Sequence, residues 1–287
     1  MSRFDALVSE ALLSRPDLVG LRAAVEKELL HHDILREMGQ AGLLRDMVFI
    51  GGTCLRLCYG SPRLSEDLDF TTAIDPDVIP GHLSRLARTL EGSLHEKYQL
   101  PVEVSDPKHE AGLVRTWKVR ITTRPERPDL PAQRIHIDVQ ALPARDPQPM
   151  LPRNPYRVEM GTAGLILSAS SLAEILADKL IAIALRSNRI KWRDLWDVAW
   201  LVQHDVAVSR SLIEQKAADR GRSLATIAKL VADRVTAAAG DRASFIGEIE
   251  RFLPPGELRD AAADPRHWEY LMRLVPTLVR PISSSPR

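Results

Sequence analysis

Cysteine, aromatic residues, net charge and long apolar runs are all scarce in this chain, and each scarcity narrows what it does. Its two cysteines, Cys54 and Cys58, stand one helical turn apart without a nearby histidine or third cysteine, which argues against a zinc site. They read as reduced core residues of a cytoplasmic protein. Lys plus Arg (39) nearly equals Asp plus Glu (38), so a nucleic-acid surface has to be a local patch and not a global excess of charge. No run approaches the roughly 20 apolar residues of a membrane span, and the opening MSRFDALVSEALLSRP lacks the continuous apolar centre of a signal peptide. No repeat is visible, and only the tail 282–287 is of low complexity and expected to fray. With 287 residues and 45% of them apolar, the chain has an ordinary globular core in one large domain or two moderate ones.

Residues 48–72, VFIGGTCLRLCYGSPRLSEDLDFTT, are the stretch to which the rest is subordinate. They read as a buried strand, a glycine pair, a short helix and a second strand. Strand alternation sends Asp67 and Asp69 to one side while Leu68 and Phe70 point into a core. Adjacent carboxylates repel, and a divalent cation between them relieves this; oxygen ligands of this type suit Mg2+ or Mn2+. Gly51 and Gly52 open the helix that follows the strand 47–50, leaving backbone amides for phosphate, with the Thr53 hydroxyl beside the metal. Arg56 on that helix is assigned with them to the nucleotide. The whole describes a pocket for a nucleoside triphosphate and its metal. Ser65 reads as a turn residue bonding nearby backbone and is placed in the nucleotide-binding set; a phosphate added there would repel the nucleotide.

Upstream, 4–13 and 18–38 read as helices, the second amphipathic through Leu21, Val25, Leu29 and Ile34 and covering one face of a sheet. Downstream, a helix from Pro80 to Tyr98 leads to strands at 100–104, 113–122 and 134–142. In RIHIDVQAL, Ile135, Ile137 and Val139 alternate with His136, Asp138 and Gln140, so Asp138 lies on the polar face of a half-buried strand. A third carboxylate beside an acidic pair is what a two-metal site needs: it completes the catalytic metal's ligands and accepts a proton from the attacking hydroxyl.

The proline-rich PARDPQPMLPRNP has no periodicity, and beyond it the pattern is helical. The expected organisation is N-terminal helices at 1–45, a first lobe at 46–160 and a helical lobe at 161–287, with the boundary near 161–170. Ser171 and Glu174 form a capping box for a helix over 172–186. Lys179 falls inside its apolar stripe of Leu172, Ile175, Leu176, Leu180 and Ile183 and must snorkel or meet an anion. In the next helix, KWRDLWDVAWLV, Asp194 and Asp197 share a face. Either Arg193, Asp194 and Asp197 form a solvated face, or one aspartate pairs with Lys179 at a cleft between the lobes and aims it at phosphate. Helices near 209–219, 222–238, 241–252 and 266–279 supply bulk, with Trp268 and Tyr270 as core or interface residues.

GGTCLRLCYGSPRLSEDLDF, the IDV strand and the KL…RDLWD pair together resemble the AbiEii/AbiGii toxin family of DNA polymerase β-like nucleotidyltransferases, which includes the mycobacterial MenT group. Matching positions are Gly51, Gly52, Thr53, Asp67 and Asp69, then Lys179, Arg193, Asp194 and Asp197. The resemblance leaves open which of the last two aspartates functions. It implies an α+β fold: a mixed-sheet nucleotidyltransferase lobe and an all-helical lobe. It further implies a bacterial toxin neutralised by a cognate antitoxin, with Mg2+ or Mn2+ as cofactor and NTP as co-substrate. Some members add nucleotides to the tRNA 3′ end and so block aminoacylation and translation.

The expected reaction is in-line attack of an acceptor hydroxyl on the α-phosphorus, with pyrophosphate leaving. Asp67, Asp69 and Asp138 hold metal, and Lys179 and Arg193 face the triphosphate. Basic residues at Arg115, Lys118, Arg120, Arg124, Arg127 and Arg134, and at Arg186, Arg189, Lys191 and Arg193, favour an RNA acceptor. A protein or small-molecule acceptor, or an inactive nucleotide-binding module, remain alternatives. A cytoplasmic monomer with no membrane contact is expected.

Overall fold

The computed structural model describes residues 2–75, 78–107, 112–127 and 129–283. The chain divides into two compact units, Met1–Ser170 and Ser171–Arg287. Residues 161–170, counted above with the helical lobe, therefore belong with the first unit. The reason is a short strand at Leu167–Ser170, and its antiparallel partner at Pro147–Met150 lies inside the proline-rich stretch that shows no periodicity. The N-terminal helices belong to the same unit as the sheet.

The first unit is built on a seven-stranded mixed sheet. Its strands are β1 (Val48–Ile50), β2 (Leu68–Thr71), β3 (Val102–Ser105), β4 (Val114–Ile121), β5 (Gln133–Gln140), β6 (Pro147–Met150) and β7 (Leu167–Ser170), in the order β3-β4-β5-β2-β1-β7-β6. β2 runs parallel to β5 and β1 parallel to β7; the other neighbours are antiparallel. Helices α1 (Arg3–Ser14), α2 (Arg22–Gln40) and α4 (Ile79–Tyr98) accompany the sheet, and α3 (Gly51–Cys54) joins β1 to a π-turn at Leu55–Tyr59. Alternation holds along β4 and β5: Trp117, Val119, Ile121, Ile135, Ile137 and Val139 are all buried. The helix expected from 18 begins with a 3-10 turn at Pro16–Leu21, broken where Leu21 leaves helical geometry beside Gly20.

α2 differs from a simple amphipathic helix because its polar side is buried as well. Glu26, Glu28, His31, His32, Asp33 and Glu37 all lie inside. Burial of unpaired charge is costly, and each acid has found a cation or donor. Glu28 meets Arg56 at 3.0 Å, while Asp33 takes Lys97 at 2.6 Å and the Tyr98 hydroxyl at 2.7 Å.

The second unit contains α5 (Leu172–Leu185), α6 (Trp192–Gln203), α7 (Arg210–Ala218), α8 (Leu224–Ala238), α9 (Arg242–Ile249), a short α10 (Pro255–Glu257) and α11 (Pro265–Ser283). Ser171 caps α5 by accepting from the Glu174 N–H at 3.1 Å. Trp192, Phe245 and Trp268 form an aromatic cluster in the core, with Phe245 and Trp268 centroids 5.3 Å apart. Residues 284–287 of the tail lie outside the described residues. No described helix is long and apolar enough to cross a membrane.

Candidate active site

Register places the acids. Across the parallel β2–β5 pair, Asp69 lies opposite Asp138; across the antiparallel β4–β5 pair, Thr116 lies opposite Asp138 and Lys118 opposite His136. Residues directly opposed in a sheet share a face, so Asp69, Asp138 and Thr116 form one row of polar side chains. Asp67 immediately precedes β2 and stays on that side by alternation.

Gly51 closes the row from above. Its φ is +78°, and a Cβ there would stand 2.4 Å from Asp69 Oδ2, so only glycine lets the start of α3 approach the carboxylate. No side chain caps that helix start. Asp138 Oδ1 is buried and accepts no hydrogen bond. A carboxylate oxygen removed from water with no donor to accept from is costly, and it is the kind of atom a hard cation satisfies.

Asp67 is held differently. Its Oδ1 accepts from the His136 backbone N–H at 3.0 Å and lies 3.2 Å from His136 Nδ1. Accordingly, among the described residues no group of three or more His, Cys, Asp or Glu side chains converges as a metal-binding cluster. The fit to a cation is therefore carried by the Asp69–Asp138 pair and the unsatisfied oxygen of Asp138; Asp67 is turned toward β5. The loop before Asp67 is tied to α2, where Lys27 meets Glu66 at 3.0 Å and His31 Nε2 meets the Glu66 carbonyl at 3.0 Å. Burial pushes the His31 imidazole down to about 4, which keeps it neutral there.

Several expected ligands have other work. The Thr53 hydroxyl donates to the Asp67 carbonyl, so it fixes the acidic strand to the glycine turn and does not stand free beside a metal. Arg56 is 7% exposed and committed to Glu28 and to the Ser61 carbonyl at 3.1 Å, which makes it a core ion pair and not a nucleotide ligand. Ser65 is buried, with Oγ 3.0 Å from the Cβ position of Gly52. The same glycine position is faced at 2.4 Å by Arg63 Nη2, from a side chain only 2% exposed. Arg63 and His136 were missed by sequence reasoning. Arg63 is the one basic residue between Gly60 and Asp67, and His136 is two positions from Asp138 on the same face; both signals were present.

In the second unit, Lys179 meets both aspartates of α6: Nζ lies 2.8 Å from Asp194 Oδ1 and 2.7 Å from Asp197 Oδ2. Arg186 reaches Asp194 at 2.9 Å. Arg193 turns elsewhere, to Glu248 at 3.5 Å and over the Phe252 ring at 4.8 Å, and is not brought to Lys179.

The model of the AbiEii nucleotidyl transferase toxin family, of type IV toxin–antitoxin systems, matches residues 33–273. The chain belongs to this family. As a member it is a nucleotidyltransferase of a toxin–antitoxin system, and the family implies an antitoxin partner. Among solved structures, MenT4, a nucleotidyltransferase toxin from Mycobacterium tuberculosis H37Rv, is 16% identical with a TM-score of 0.58, covering 94% of this chain and 89% of that one. That likeness shows a shared fold: the mixed sheet with flanking helices and a helical C-terminal region. The JHP933 protein of Helicobacter pylori is 18% identical with a TM-score of 0.43, covering 91% of each chain. A further putative nucleotidyltransferase from H. pylori is 19% identical with a TM-score of 0.44, covering 90% of this chain and 95% of that one. No curated protein matches.

Proposed function

We propose that this member transfers a nucleoside monophosphate from an NTP to an RNA acceptor, the 3′ end of tRNA, and so blocks aminoacylation and translation. The observation that carries the reading is the Asp69–Asp138 row beneath the Gly51 turn, with Asp138 Oδ1 buried and unsatisfied. Asp69 and Asp138 would hold Mg2+ or Mn2+, joined by Asp67 on release from His136. Bound there, the metal would supply electrophilic stabilisation of the transferring phosphoryl group. Asp138 takes the proton from the acceptor hydroxyl as its oxygen bonds to the α-phosphorus; the bond from that phosphorus to the bridging oxygen breaks and pyrophosphate leaves. The backbone of the turn at Gly51 and Gly52, onto which Asp69 and Arg63 close, is the wall we assign to the phosphates. Within the second unit, Lys179, held by Asp194 and Asp197, is a further functional cation in this proposal.

Incubation with each labelled NTP separately, Mg2+, and total RNA or total protein tests this. Label should enter the RNA fraction, require the metal and vanish in Asp69→Asn. A second reading, a nucleotide-binding module without transfer, is favoured by the lack of a preassembled three-carboxylate group among the described residues. NTP binding with no labelled fraction would select it and overturn the first.

A further inference from the structure

We propose that the open face of β4 and β5 is the track on which the acceptor RNA strand lies, with Lys118 and Arg134 as its phosphate contacts. This rests on the transferase reading above and adds to it the surface by which the acceptor reaches the acids.

Rows of the sheet lead away from the acids in a fixed order. Asp138 faces Thr116, His136 faces Lys118, and Arg134 faces Arg120. One row therefore holds the proposed base beside a hydroxyl, and the next two hold cations. Successive same-face positions are about 6.7 Å apart along a strand, on the scale of the separation between consecutive phosphates of a single strand. Strands lie about 4.8 Å apart, so Lys118 is a short reach from the catalytic row.

The basic residues of this region separate by their partners. Arg120 is paired with Glu103 at 2.7 Å, and Arg127 with Asp129 at 2.7 Å. Arg124 is taken by Glu26 and Asp5. Arg115 lies opposite Val139, on the other face, and donates to the Gly112 carbonyl at 2.7 Å. Lys118 and Arg134 are exposed, and no described residue engages either one. Two uncommitted cations on the acid-bearing face, one and two rows from Asp138, fit an anionic strand whose hydroxyl end stops at the acids. The rows of Asp138, His136 and Arg134 hold no exposed apolar side chain, and the one exposed apolar residue of β4 on this face, Val114, is a single valine one row beyond the acids and not an aromatic anchor, which favours nucleic acid over a protein acceptor.

The test uses the full chain as Lys118→Glu/Arg134→Glu, with Lys229→Glu on α8 as a surface charge-reversal control. Three quantities are measured: Mg2+–NTP binding, affinity for a single-stranded oligoribonucleotide against salt, and label transfer to total RNA and total protein. The double variant should bind NTP within about twofold of wild type. It should lose at least about tenfold in RNA affinity, and its slope of log K against log salt should flatten by about 1.4, since each phosphate contact to a single strand contributes about 0.7. The control should match wild type throughout. Unchanged RNA affinity and slope would overturn the track. Wild-type labelling of RNA that the double variant performs equally fast would also overturn it, leaving the transferase reading intact. If wild type labels no RNA while the double variant still loses RNA affinity, the track stands and the transferase reading falls. Label entering only protein, and reduced by the variant, would assign the face to a protein acceptor and overturn the proposal.

Discussion

Replacing Lys179 by Met asks how much of the second unit depends on one buried cation. The Nζ lies 2.8 Å from Asp194 and 2.7 Å from Asp197, and at an effective dielectric near 20 each contact has a Coulomb energy of about 6 kcal/mol. Desolvation of three ions offsets most of that, so the net value of the triad is small, yet removing only the cation leaves carboxylates buried without it. Asp194 retains Arg186, and Asp197, which is fully buried, loses its 2.7 Å contact with the cation. The expected destabilisation is about 3–5 kcal/mol. In urea, with a slope of about 2 kcal/mol per molar, that is a midpoint shift of about 2 M. Tryptophan fluorescence is a suitable reporter because Trp192, Trp196, Trp200 and Trp268 all lie in the second unit and only Trp117 lies in the first. Lys179→Met/Asp197→Asn should recover a large part of the loss, since cation and anion leave together. A single variant whose midpoint stays within about 0.3 M of wild type would refute the reasoning, and so would a double variant less stable than the single.

Asp138→Asn removes a buried charge whose Oδ1 has no donor, so its unfolding midpoint should equal or exceed wild type while transfer falls at least about a hundredfold; lower stability with normal transfer would contradict this. Gly51→Ala forces a Cβ into a residue at φ +78° and onto Asp69, so it should cost more than about 1 kcal/mol and bring transfer to background, read by melting and by label incorporation. Burial holds His31 at about 4 and His32 at about 3, below their ordinary 6.5. As pH falls below 6.5 the unfolded chain takes up protons that the folded chain refuses, so stability should decline by about 2 kcal/mol per histidine by pH 5. Urea midpoints between pH 7.5 and 5 would show it, and His32→Gln should remove about half the slope. Arg56→Met leaves Glu28 buried without its cation and should destabilise by about 3–5 kcal/mol while the KM for NTP in the folded fraction is unchanged; a raised KM at normal stability would return Arg56 to the nucleotide site.

Local pattern made the acid-bearing elements legible. RIHIDVQ alternates so regularly that the face of Asp138 followed from the residues alone, and β5 lies within one residue or two of where alternation put it. Pairing did not follow: nothing in the chain announces that β5 lies parallel to β2, which is what sets Asp138 against Asp69. The strand β6 escaped because prolines at 147 and 149 mask an edge strand, where a missing N–H is tolerated, and β7 because four residues, LSAS, carry too little β-branched or aromatic signal. The fates of Arg56, Thr53 and Arg193 escaped for a related reason. Each lies in or beside a functional motif, and only the positions of Glu28, the Asp67 carbonyl and Glu248, far away in sequence or on the backbone, show what each one binds.

Both units bury carboxylates on helices and then surround them. Asp33 receives Lys97 and Tyr98, Glu174 receives Lys216 at 2.8 Å, and Asp197 receives Lys179 at 2.7 Å. A chain able to supply a buried partner so regularly had the means to supply one at Asp138, where Thr116 stands directly opposite and a basic side chain in its place would reach. It instead leaves Oδ1 unsatisfied and sets Lys118 one row away. Asp219 Oδ2 is likewise buried and accepts no hydrogen bond, but Asp138 adds a second carboxylate, Asp69, directly opposite it in the sheet, and that combination is what an arriving cation would satisfy. By that measure Asp138, set against Asp69 and more than the adjacent pair Asp67 and Asp69, is where we propose that the chemistry of this nucleotidyltransferase occurs.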